Sequence, residues 1–176
     1  MHPALSLAKR KLADARAEFD AVMAIEADIV PAVARTMSPV AVAAKNALRA
    51  SGIEGMYTGI EGVLKEILAV VDGGVFASES WHAHLLAQAA APNERKGRPA
   101  IISDRVYERL DRLRAFRHIE RNIYRHLLRE SDVDENLARL TEVFPLFEAE
   151  IGQFFKSFDQ GNPDDAKGTQ APSGSK

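Results

Sequence analysis

The sequence predicts an all-α protein, an antiparallel up-and-down helical bundle ending in a disordered C-terminal tail. Three observations carry this expectation. Apolar residues recur every three or four positions through several long segments, and almost nothing alternates as a strand would. Pro, Gly and Ser clusters separate the segments by short connections, which favour antiparallel neighbours. Hydrophobic residues make up 46% and charged residues 27% of 176 residues, enough for one sizeable core.

The first helix is expected over residues 4 to about 28, with Leu5, Leu12, Ala15, Phe19, Val22, Met23 and Ile25 on one face. Pro31 is expected to end or bend it. Ser38 then stands as a cap before Pro39 at the first position of a second helix. That helix runs from Val40 to Val71 on Val42, Leu48, Met56, Ile60, Val63, Leu64, Leu68 and Val71. Gly52, Gly55, Gly59 and Gly62 interrupt it, each costing about 1 kcal/mol relative to alanine. They predict either close approach of another helix or a kink. Asp72-Gly73-Gly74 reads as a turn, and Ser80 to Ala91 as a third helix with a serine cap.

Residues 92–101 form a polar loop containing Pro and Gly. Ser103-Asp104 opens a helix expected to reach about Arg129, with Val106, Leu110, Leu113, Phe116, Ile119, Ile123 and Leu127 facing the core. A last helix, from about Val133 to Phe158, carries Leu137, Leu140, Val143, Phe144, Phe147, Ile151, Phe154 and Phe155. Pro145 should kink it unless a break lies there. Residues 159–176 lack periodicity and are expected to be disordered.

Composition excludes several classes of function. The chain has no cysteine, hence no disulfide, thiolate metal site or cysteine nucleophile, which fits a reducing cytoplasm. No apolar run follows the charges Lys9-Arg10-Lys11, so neither a signal peptide nor a membrane span is expected, and the protein is read as cytoplasmic. No Gly-rich turn ends in Lys-Ser/Thr, which leaves nucleotide binding by a P-loop unsupported. The net charge of -2 excludes wholesale binding of nucleic acid or anionic membrane by a basic protein. The charge is uneven, however. Residues 94–130 hold 11 basic and 6 acidic side chains, a local excess of +5 made mostly of arginine. Such arginines either pair with neighbouring carboxylates on a solvated face or line a groove that binds phosphate through their planar forks.

The richest stretch is Phe116-Arg117-His118-Ile119-Glu120-Arg121-Asn122-Ile123-Tyr124-Arg125-His126. On a helix, His118, Asn122 and His126 share one stripe and Arg117, Arg121 and Arg125 the next. Guanidinium groups bind anions, imidazoles move protons near neutrality, and amide and phenol groups orient a substrate. Metal-free phosphodiester chemistry needs this set. Equally, the arginines could pair with Asp111, Glu120 and Glu130 while the histidines are solvated.

This segment resembles the HEPN superfamily, in particular HepT-like ribonuclease toxins, whose mark is Arg, four to six residues, then His, often with Tyr two further on. Arg117, the polar His118 after it and Tyr124 fall at that spacing, and Asn122 occupies the histidine position. Met56-Tyr57-Thr58-Gly59-Ile60-Glu61 is similar to the Tyr-Thr-Gly-x-Glu stretch of such proteins. Trp81-His82 with Leu85-Leu86, and Arg98-Pro99-Ala100-Ile101-Ile102-Ser103, resemble further blocks of one subgroup. The likeness covers a HepT-like domain over residues 39–158, on which the N-terminal amphipathic helix, residues 1–38, is expected to pack. It implies a homodimer whose two motifs form one composite cleft and cleave RNA with the 2′-hydroxyl as nucleophile, without metal or other cofactor.

Arg117, His118, Arg121, Asn122, Tyr124 and His126 are then the candidate catalytic residues, with Arg114 and Arg125 holding RNA. The family's usual partner is a MntA-like nucleotidyltransferase antitoxin that transfers AMP to the motif tyrosine, here Tyr124. A charged adduct there would block the cleft and repel phosphate.

Asn122 cannot exchange a proton at neutral pH. His118 or His126, one turn to either side, serves instead; or Asn122 suffices by positioning and charge stabilisation; or the site binds without cleaving. His82 and His84, two residues apart, point away from each other and cannot share a metal, and His82 beside Trp81 reads as packing or a helix N-terminal hydrogen bond. His118 and His126 lie two turns apart with no carboxylate between them on their stripe, so no metal is expected there either.

Overall fold

Helix α1, Ser6–Thr36, is preceded by a 3-10 turn over Pro3–Leu5. A computed structural model describes residues 3–36, 38–75, 80–122 and 129–161, apart from the side chains of residues 3, 34, 118–122 and 161. Within these, α2 spans Pro39–Val71, α3 Trp81–Ala90, α4 Asp104–Asn122 and α5 Glu130–Gly161. The expected tail lies outside the described residues, except that α5 itself extends to Gly161. No described residue belongs to a strand; a lone bridge joins Asn93 to Arg98.

Successive ion pairs and hydrogen bonds fix the directions of the helices. Arg16 on Glu148 and Lys9 on Asp159 set α1 antiparallel to α5. Arg109 on Glu142 and Ser103 on Glu150 do the same for α4 and α5. Lys45 on Glu130 and Arg49 on Asp134 make α2 parallel to α5. The four long helices therefore alternate up and down, α2 touches every other helix, and short α3 leans on α2 and α4.

The four glycines of α2 are a close-approach stripe. A Cβ on Gly52 would stand 3.1 Å from Val22 Cγ2, and one on Gly59 3.5 Å from the Ala15 Cβ. Gly55 and Gly62 face Glu18 and Lys11 in the same descending order, which makes α1 antiparallel to α2. Ser38 caps α2 as expected, its side chain accepting from the Ala41 amide with Pro39 in the first turn.

The core is built from the anticipated stripes. Val106, Leu110, Leu113 and Phe116 of α4 are buried, as is each expected apolar position of α5. Phe19 stacks on Phe144 with ring centroids 4.7 Å apart.

Several details depart from the sequence reading. Helix α1 runs through Pro31, and α5 continues across Pro145; both prolines are exposed, so the carbonyl each deprives of a donor is on the solvent side. Ile25 and Leu48 are exposed. Ile25 lies at the margin of its stripe. In α2 it is Arg49 that turns inward, donating to Glu26 on α1 at 2.8 Å and to Asp134 on α5 at 2.6 Å. Ser80 does not cap α3 through its side chain; its carbonyl accepts from the Ala83 and His84 amides. Arg129 precedes α5, which begins at Glu130 rather than about Val133. The core positions expected at Ile123 and Leu127 lie outside the described residues, as does the side chain of Ile119.

The loop after α3 is tied down by a charged residue. Gly97 adopts φ +63, and the chain returns so that Asn93 and Arg98 exchange backbone hydrogen bonds. Arg98 donates to both oxygens of Asp72, at 3.0 and 2.8 Å, and to the Gln88 carbonyl. This arginine thus holds the loop to the helix end of α2. Burial would push the Asp72 carboxyl up, but hydrogen bonds from Arg98, Gln88 and Asn93 outweigh it and hold the group at about 2. A pKa depressed by folding stabilises the protein above the ordinary aspartate range, about 4, and that stability is lost as pH falls through about 2. Urea titrations across this window should show a steep acid loss in the wild type and a shallower one in Asp72→Asn. Equal slopes would mean that the pair does not set acid stability.

Candidate active site

Helix α4 positions Arg117. Ser103 Oγ accepts from the Val106 amide at the start of the helix and is itself held by Glu150. Leu113 and Phe116 then anchor the helix in the core, and Arg117, one residue on, emerges at the edge of that stripe. Its side chain is 13% exposed and points at α2 and α3.

On α2, Glu54, Tyr57 and Glu61 are spaced three and four apart and so share a face. Arg117 Nη1 donates to Glu61 Oε2 at 3.0 Å, and Nε lies 3.7 Å from Glu54 Oε1. The guanidinium also sits over the Tyr57 ring, 5.8 Å from its centroid. His82, in the first turn of α3, places Nδ1 2.6 Å from Glu61 Oε1 and 3.2 Å from Arg117 Nη1. Its ring lies 3.7 Å from that of Trp81. Glu61 is thus a buried carboxylate gripped on both oxygens, by α3 through one and α4 through the other.

Two polar atoms of this cluster are buried without a hydrogen-bond partner among the described residues, Tyr57 Oη and Arg117 Nε. Burial, with the negative charge of Glu61, pushes the Tyr57 phenol well above its ordinary range against the opposing pull of Arg114 and Arg117.

Arg114 is half-buried one turn earlier on α4 and donates from Nε to Asp111 at 2.7 Å. His118, Arg121 and Asn122 belong to the last turn of α4, their side chains outside the described residues. Tyr124, Arg125 and His126 lie outside the described residues altogether. Of the expected site residues, Arg117 and Arg114 are therefore the two whose side-chain surroundings are described. Among the other arginines, Arg109 pairs with Glu142 and Arg129 with Asp132. A groove of about 400 Å³ between α4 and α5 is lined by Arg109, Arg112 and Arg139 but equally by Glu108, Glu135 and Glu142, so it is not a purely cationic channel.

Glu54, Tyr57, Glu61 and His82 had no chemical role in the sequence reading. A signal for them existed: Tyr57 and Glu61 share a face and, with His82, fall in blocks that carried the resemblance. Nothing local joined those blocks to Arg117. Among the described residues no group of three side chains is placed to hold a metal ion.

A family model described as HepT-like protein matches residues 48–158. The chain belongs to this family. The match makes the bundle a HEPN-type domain, and it takes in every residue of the Arg117 cluster. No curated protein and no solved structure matches the chain. No described helix of this HepT-like protein is long and apolar enough to cross a membrane.

Proposed function

We propose that this HepT-like protein is a metal-independent endoribonuclease, the toxin half of a toxin–antitoxin pair, whose site is completed where two copies of the chain meet. The observation that carries this reading is the placement of Arg117. The motif arginine sits where α2, α3 and α4 converge, oriented by a buried carboxylate that also holds an imidazole. Arg117 stabilises charge building on the phosphate while the ribose 2′-hydroxyl attacks it. His118, Arg121, Asn122, Tyr124 and His126 complete the site, and Arg114 and Arg125 hold flanking phosphates. The proposed division is a helix over residues 1–38, the HepT-like domain from residue 39, whose last helix runs past 158 to Gly161, and a tail over the remaining residues to 176. The proposed partner is a MntA-like nucleotidyltransferase that adds AMP to Tyr124 in the cytoplasm.

Purified protein is expected to cleave RNA in EDTA, leaving a 2′,3′-cyclic phosphate. Arg117→Ala, checked for folding by circular dichroism, should slow cleavage by about 10²-fold or more. A wild-type protein that yields no product at any concentration would overturn the reading.

One observation favours a second reading, a catalytically inactive dimer that binds RNA or a protein partner. Arg117 is only 13% exposed and already ion-paired, as a purely structural arginine would be. That reading expects salt-sensitive RNA binding without product.

A further inference from the structure

We propose that His82, oriented by Glu61, is the proton-accepting group of the site; the proposal rests on the ribonuclease reading. The argument starts from the proton on Nδ1. A guanidinium only donates hydrogen bonds and a carboxylate only accepts them. Nδ1 faces one of each, 2.6 Å from Glu61 Oε1 and 3.2 Å from Arg117 Nη1, and it cannot satisfy both. At 2.6 Å a lone pair on Nδ1 would confront the carboxylate oxygen directly. The proton therefore sits on Nδ1 and points at Glu61, while Arg117 Nη1 is satisfied by the other carboxylate oxygen at 3.0 Å.

In a neutral imidazole this assignment leaves the lone pair on Nε2. A carboxylate that fixes one ring nitrogen as a donor so that the other can take a proton is the arrangement a histidine base requires. Glu61, 4% exposed, places a carboxylate oxygen directly against the ring, where it stabilises the imidazolium when it forms. The Trp81 ring, 3.7 Å away, limits the rotation of the imidazole. His82 itself is 27% exposed, so the group reaches solvent while its anchor does not. Because Glu61 also holds Arg117, one carboxylate sets the separation between the base and the cation that meets the phosphate. Asn122, in the motif's histidine position, has no proton-accepting nitrogen, and the Glu61–His82 dyad supplies one from a different helix.

The step balances as follows. Nε2 takes the proton of the ribose 2′-hydroxyl as the O2′–P bond forms and the P–O5′ bond breaks. The products are a 2′,3′-cyclic phosphate and a 5′-oxygen, which takes a proton from water. The hydroxide left behind recovers the proton held by the imidazolium.

The test is cleavage of a defined oligoribonucleotide in EDTA by wild type, Arg117→Ala, His82→Asn and His82→Ala. Asparagine at position 82 retains a donor in the place of Nδ1 and so preserves the contact with Glu61, but it lacks Nε2. His82→Asn should melt as the wild type does and lose cleavage by about 10²-fold or more. Added imidazole should restore part of the activity of His82→Ala and none of that of Arg117→Ala, an effect that a merely structural role for His82 would not produce. If Arg117→Ala abolishes cleavage while a folded His82→Asn stays within about threefold of wild type, far short of what loss of a base costs, the dyad is not the base and the ribonuclease reading stands. A wild type that does not cleave overturns both.

Discussion

Glu61→Ala should lower the free energy of unfolding by about 3–5 kcal/mol, the cost of removing one partner of a buried ion pair. The carboxylate is 4% exposed and accepts from Arg117 through one oxygen and from His82 through the other. Without it, Arg117 remains 13% exposed, and among the described residues its counter-charge is the more distant Glu54, 3.7 Å from Nε. Its Nε has no hydrogen-bond partner among the described residues. The double variant Glu61→Ala/Arg117→Ala should cost less than the sum of the single substitutions, because it strands neither charge. Urea unfolding measures all three. A loss below about 1 kcal/mol for Glu61→Ala would mean that the pair behaves as a solvent-screened surface contact.

Gly52→Leu should destabilise the bundle by about 3 kcal/mol, at the upper end of the range for overfilling a packed interface. Even a methyl group there would approach Val22 Cγ2 to 3.1 Å, so a leucine starts out pressed against α1. Gly62→Ala should act in the opposite direction. Its Cβ would rest 3.6 Å from the flexible Lys11 Cδ, in ordinary contact, and alanine gains up to about 1 kcal/mol of helix propensity. The two variants, compared by thermal melting, separate helix propensity from helix spacing on one element. Destabilisation by both, to a similar degree, would mean that α1 is closely seated along its whole length.

The helices were legible because their information is local. Each buried position of α5 from Leu137 to Phe155 follows a spacing of three or four that one segment displays by itself. The glycines of α2 were legible as an alternative, close approach or kink, and the facing residues of α1 decided it. Leu48 and Arg49 were not legible. Which of them turns inward depends on Glu26 and Asp134, 23 and 85 residues from Arg49 along the chain. The candidate site divides in the same way. Arg117 stood out from its own neighbours, and its helix carries it where the stripe of Leu113 and Phe116 requires. Glu61 and His82 reach it across 56 and 35 residues, a meeting that no periodicity encodes. The tautomer of His82, and with it the direction of its free nitrogen, follows from that meeting alone.

Helix α1 precedes the stretch that defines the family, which begins at residue 48, well inside α2. Yet Phe19 covers one side of Phe144, Arg16 lies over the same ring at 4.9 Å, and the glycine stripe of α2 is shaped to receive α1. A fragment cut at the family's limits would leave an aromatic face and a glycine-lined furrow bare to water. Recombinant work on this protein should therefore keep the first thirty-six residues, since the unit that folds is larger than the stretch by which the family is defined.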